Sequence, residues 1–115
     1  MKNPVVFWEL ASNDAEESVR FFREVFEWEF SKEGLIHFVD PGEPRRVAGG
    51  VFTLRRARLP FMCIYIEVED VDEMAVRVVE HGGSIRDPPA YMPNGAYLCL
   101  FNDPSGVTHA MIQKR

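Results

Sequence analysis

Residues 61–83 read FMCIYIEVEDVDEMAVRVVEHGG, and this stretch decides the fold. Its first half alternates. Ile64, Ile66 and Val68 fall on one side of an extended chain, and Cys63, Tyr65 and Glu67 on the other. Strand side chains point to opposite faces with a period of two, so residues 61–69 read as a strand. The period then changes. Asp70-Val71-Asp72-Glu73 is a capping-box sequence, with a side-chain acceptor at the N-cap and Glu three residues on. Val71, Met74, Ala75, Val78 and Val79 follow at helical spacing. Gly82-Gly83 ends the helix, since glycine enters the left-handed region without a Cβ clash.

Outward from this unit, 84–86, 96–101 and 107–113 read as three more strands. Asp103-Pro104-Ser105-Gly106 is a type I turn between the last two. Residues 87–95, with Pro88, Pro89 and Pro93, read as a stiff loop, either a lid or a fixed connection. The first half of the chain repeats the order. Residues 4–10 form an apolar strand. Asn13 or Asp14, with Glu16 or Glu17, caps a helix whose stripe is Ala15, Val19, Phe22 and Val25/Phe26, widened by Phe21. Strands at 28–31, 35–39 and 47–54 follow, broken at Gly34, Asp40-Pro41-Gly42 and Pro44. The order is β-α-β-β-β, twice. The expected fold class is α+β, with two βαβββ modules in one domain of residues 1–115. Module one covers about 4–54 and module two about 61–113, joined by a linker at 55–60.

Composition agrees with one small folded domain. The chain has 115 residues, 46% of them hydrophobic and 27% charged, which is ordinary globular usage and excludes disorder as the main state. Thirteen basic against eighteen acidic residues give a net charge of −5. Such a chain repels phosphate backbones, which argues against nucleic acid as partner and favours a cationic ligand. Cys63 and Cys99 lie inside apolar runs without metal-type spacing. They read as reduced core thiols of a cytoplasmic protein. Residues 5–8 are too few for a signal-peptide core, and no run approaches a membrane span.

The ordered set of motifs resembles the vicinal oxygen chelate superfamily, which includes glyoxalases, bleomycin-resistance proteins and extradiol dioxygenases. The motifs are Asn13-Asp14 through Phe21-Phe22-Arg23-Glu24-Val25-Phe26-Glu27-Trp28, then 65–72, Gly82-Gly83, and Asn102-Asp103-Pro104-Ser105-Gly106. The resemblance implies curled sheets around a cavity with the helices on the outer face, and homodimerisation. It also implies a divalent ion in many members, held by four inward ligands, chelating two substrate oxygens. Two residues depart from the pattern. Phe22 stands for the usual Tyr, and Glu27 for the usual Gly after the first helix. A left-handed Glu27 costs about 1 kcal/mol.

Carried over residue by residue, the ligand positions fall on Phe7, Cys63, Ala110 and a place near Gly50. Phe, Gly and Ala have no side-chain donor, and a lone thiolate does not hold a hard ion. The expectation is therefore no metal and no other cofactor. His37, His81 and His109 read as surface or partly packed imidazoles, and alternation points His109 away from the face of Ala110. The face left for a ligand carries Phe7, Glu9, Cys63, Tyr65 and Glu67. Among apolar neighbours a dry Glu9 would have a raised pKa and could hold a cationic group. Tyr65 and Phe7 would offer aromatic walls. Arg45-Arg46 and Arg55-Arg56-Arg58 read as solvated loop charge. Gly49-Gly50 lacks the following helix of a phosphate loop and reads instead as a site of close approach.

The leading reading is a family member without the metal site that binds a small organic ligand, cationic or aromatic, in an apolar cup. A metal-dependent lyase, isomerase or dioxygenase with a displaced site is the second. A non-catalytic interaction module is the third. Whether any reaction is catalysed stays open at this point.

Overall fold

The computed structural model describes residues 2–43, 47–54 and 61–115. The linker expected at 55–60 and the pair Arg45-Arg46 lie outside the described residues. Ten elements follow in chain order: β1 Val5–Ser12, α1 Ala15–Phe26, β2 Phe30–Glu33, β3 Ile36–Val39 and β4 Ala48–Thr53, then β5 Phe61–Val68, α2 Val71–Glu80, β6 Ser84–Tyr91, β7 Tyr97–Asn102 and β8 Thr108–Gln113. The class is α+β and the βαβββ order is repeated, as the periodicity change at Asp14 and again at Asp70 requires.

Contacts divide the chain into two compact units. One is Phe7–Cys63; the other is Ile64–Arg115 together with the first residues through Val6. In the first, the strand order is β2-β3-β4-β1. β1 and β4 run parallel, with Trp8 opposite Gly49 and Glu9 opposite Gly50. The other two pairings are antiparallel. Ala15 and Val19 of α1 pack on Val51, with Trp8, Leu10 and Phe30 around them. In the second unit the order is β5-β8-β7-β6. Val71 and Ala75 of α2 pack on Val68, Cys99 and Met111. Burying such side chains stabilises each unit by about 25 cal/mol per Å² of apolar surface removed from water.

Each helix starts where local chemistry directs. The Asp14 carboxylate accepts the Glu17 amide at 3.3 Å, and that of Asp70 accepts the Glu73 amide at 3.0 Å. Asp14, not Asn13, is the N-cap. The reciprocal half of the first box is absent, because the Glu17 side chain pairs with Arg20 instead. At the other end, α1 closes on Glu27 with φ 58° and ψ 30°, the left-handed conformation in which glycine is preferred.

Three sequence readings need correction. Residues 87–95 are not mainly a loop. β6 runs on to Tyr91, with Ala90 opposite Leu98 and Tyr91 opposite Tyr97. Pro88 and Pro89 are accommodated because β6 is the outer strand of its unit and its register shifts between Asp87 and Ala90, so their missing N–H groups cost no ladder bonds. The apolar stripe of α1 is also narrower than expected. Phe21, Val25 and Phe26 are each more than half exposed. They lie on the last turns, where the rings contact one another, Phe21 on Phe22 at 5.3 Å and Phe22 on Phe26 at 6.1 Å, rather than the sheet. Val79 of α2 is likewise exposed.

Candidate functional site

Alternation along β1 sets which side chains leave the core. Leu10 and Trp8 face α1. Phe7, Glu9 and Ala11 therefore face the other way, beside Ala48, Gly50 and Phe52 of β4. β3 adds Ile36 and Phe38 to this helix-free face, opposite Phe52 and Gly50. The rings of Phe7 and Phe38 lie 6.0 Å apart. A Cβ at Gly50 would stand 3.0 Å from Phe7 Cζ and 3.0 Å from Ile36 Cγ2, so glycine lets these groups close over the strand. Phe7 and Glu9 are both half-buried, and Cys63 is buried in the same unit.

In the second unit, Ile66 and Val68 turn towards α2. Tyr65 and Glu67 take the helix-free face, opposite Ala110 and Ile112 of β8. Tyr65 is buried and Glu67 half-buried. Ala110 is fully buried and paired also with Leu100. The five candidate residues thus lie on the helix-free side of β1 or on the Cys63–Tyr65–Glu67 side of β5.

The histidines go elsewhere. His109 lies opposite Phe101, on the α2 side. Its Nε2 is 2.9 Å from Asp103 Oδ2. That contact, with amide donation from Val107 and Ser105, holds the Asp103 carboxyl below the usual carboxylate range. His37 shares the α1 side with Val51, and His81 caps α2. Among the described residues, no three His, Cys, Asp or Glu side chains converge on one point. Burial pushes the Cys99 thiol up, which keeps it protonated and inert.

One feature escaped the sequence reading. On the α1 side, a cavity of about 530 Å³ opens beside β1, walled by Trp8, Phe22 and Trp28 with Asp40 at its edge. Trp28 stacks on Phe22 at 4.7 Å and 8°. The signal was the density of rings at Phe21, Phe22, Phe26, Trp28 and Phe30, too many for one short helix end to bury.

A family model described as the Glyoxalase/Bleomycin resistance protein/Dioxygenase superfamily matches residues 4–111. No protein of curated function matches the sequence. Among solved structures, a hypothetical protein from Bacillus halodurans C-125 superposes with a TM-score of 0.77 at 18% identity, covering 100% of this chain and 96% of that one. Methylmalonyl-CoA epimerase from Mycobacterium tuberculosis gives 0.69 at 12% identity, covering 96% and 87%. A methylmalonyl-CoA epimerase in complex with methylmalonyl-CoA and NH4+ gives 0.65 at 15%, covering 99% and 96%. At these identities the likeness is one of fold. No helix among the described residues is long and apolar enough to cross a membrane.

Proposed function

The chain belongs to the Glyoxalase/Bleomycin resistance protein/Dioxygenase superfamily, and from that premise we propose that it binds a small organic cation of aromatic character without the metal ion that many members use. The observation that carries this is the setting of Phe7. The resemblance gives Phe7 the first ligand position, and its ring is seated against Phe38 and over Gly50. Gly50 and Ala110 bring no side-chain donor, and Cys63 alone is a soft ligand. This set does not fit a hard, oxygen-chelating ion.

What the helix-free face of β1 offers is hydrocarbon, ring faces and carboxylate. Glu9 stands opposite Gly50, two residues along β1 from Phe7. Tyr65 and Glu67 repeat the aromatic and acidic pair on the equivalent strand of the second module. Phe7, Glu9, Cys63, Tyr65 and Glu67 are the residues we assign to the ligand. Ring faces attract cations through their quadrupole, and a carboxylate partly removed from water adds to that attraction. Binding by burial and charge needs no chemical step.

Calorimetry against a panel of cationic aromatic compounds tests the reading, alongside metal analysis of protein purified without chelator. Saturable binding is expected, weakened about fivefold by Glu9→Gln. Stoichiometric zinc, nickel, manganese or iron in the purified protein would overturn it in favour of a catalytic member. So would an absence of binding at millimolar concentration.

A further inference from the structure

Residues 8 and 10 point opposite to 7 and 9, so the cavity beside Trp8 lies on the other side of the module-one sheet from the ligand face proposed above. Its volume of about 530 Å³ suits a small organic molecule. Val47 and Met62 stand at its edge, 48% and 61% exposed, so it is reached from solvent.

Its walls are built in place rather than left by loose packing. A Cβ at Gly49 would fall 2.0 Å from Trp8 Cε2, so the indole lies directly against the β4 backbone. Trp28 is held by stacking on Phe22 and meets Trp8 at 5.8 Å and 50°. The two indoles thereby form an angled corner of ring faces. Among the described residues, Asp40 is the only ionisable side chain lining the cavity. Its amide donates to the Glu29 carbonyl at 2.9 Å. Its Oδ1 accepts the Gly42 amide at 2.8 Å, while Oδ2 has no partner among the described residues. A fixed carboxylate beside indole faces, on a chain of net charge −5, selects for positive charge and a flat apolar body.

We propose that this cavity is a second binding site, for a flat organic cation such as a quaternary nitrogen heterocycle. Trp8 and Trp28 clasp the ring system, and Asp40 faces the charge.

Both tryptophans of the chain line the cavity, so their two indole N–H resonances report on it directly. The experiment titrates isotope-labelled full-length protein with N-methylquinolinium and, separately, with quinoline at a pH where quinoline is neutral. Saturable shifts of both indole signals are expected, with the cation bound about fivefold more tightly than quinoline. Asp40→Asn is expected to remove that preference. Val47→Phe, at a half-exposed position that tolerates a ring, is expected to block both compounds. Non-saturating shifts, equal affinity for the two compounds in the wild type, or binding untouched by Val47→Phe would overturn the proposal. Indole shifts that follow dilution of the protein alone, with no response to either compound, would assign the cavity to contact with a second copy and overturn it equally.

Discussion

The Thr53 hydroxyl oxygen accepts the Ala15 amide proton at 2.9 Å, tying the end of β4 to the first turn of α1. The second module repeats the device with a different side chain. Gln113 Oε1, at the end of β8, accepts the Val71 amide at 2.9 Å. A helix leaves its first amides without intrahelical partners, and here the last strand of each module supplies one acceptor.

Thr53→Val keeps the shape and removes the acceptor. Ala15 is only 3% exposed, so water cannot replace the bond fully. A loss of about 1–2 kcal/mol is expected, read from the urea unfolding midpoint.

Glu27 holds φ 58° at the end of α1, where the side chain crowds its own backbone. Glu27→Gly relieves that crowding. The unfolded chain gains some freedom from glycine, which offsets part of the effect. Thermal unfolding is expected to show a net gain of about 0.5–1 kcal/mol. A loss would mean that the Glu27 side chain holds the cap together.

Gly49→Ala is expected to destabilise by about 2 kcal/mol, because the new methyl meets the Trp8 ring. The near-ultraviolet circular dichroism of the tryptophans should change in the folded protein. Gly106→Ala serves as a contrast, since a Cβ there meets nothing within 4 Å. Its cost comes from φ +88° alone and leaves the tryptophan signal unchanged.

The Asp103 carboxyl lies below its ordinary value of 3.8, first through His109 and then through the Val107 and Ser105 amides. A depressed carboxylate contributes stability above its unfolded pKa. That contribution fades as pH falls through the folded value. The wild type is therefore expected to lose stability on acidification below pH 3.8, and Asp103→Asn to show a shallower acid slope. Urea midpoints measured across the acid range decide this, and parallel slopes would discount the contact.

Much of the frame was readable one residue at a time. Asp14 and Asp70 cap helices because a carboxylate three residues ahead of an amide reaches it without help from the rest of the chain. Asp103 closes its turn for the same local reason, accepting from Ser105 at 2.9 Å and Val107 at 3.1 Å. Alternation put Trp8 and Leu10 towards α1 and Phe7 and Glu9 away from it. Pro88 and Pro89 misled because a proline-rich run reads as loop. Whether a strand tolerates proline depends on which of its edges is paired, and no local pattern carries that.

The candidate site divides along the same line. That Phe7, Gly50 and Ala110 carry no donor follows from their identity alone. That Phe7 closes on Phe38 and Gly50 follows from the register of β1, β4 and β3.

The amino-acid order by itself determined the doubled βαβββ plan, the helix starts and the composition of each sheet face, since caps and side-chain periods act over a few residues. Only the tertiary structure decided that Trp8 lies on Gly49, that Trp28 stacks on Phe22, and that Asp40 borders the hollow between them. The first and last of these join segments far apart in the chain, and the Phe22–Trp28 stack depends on the left-handed turn at Glu27, so their geometry comes from how the chain packs and turns rather than from side-chain periodicity.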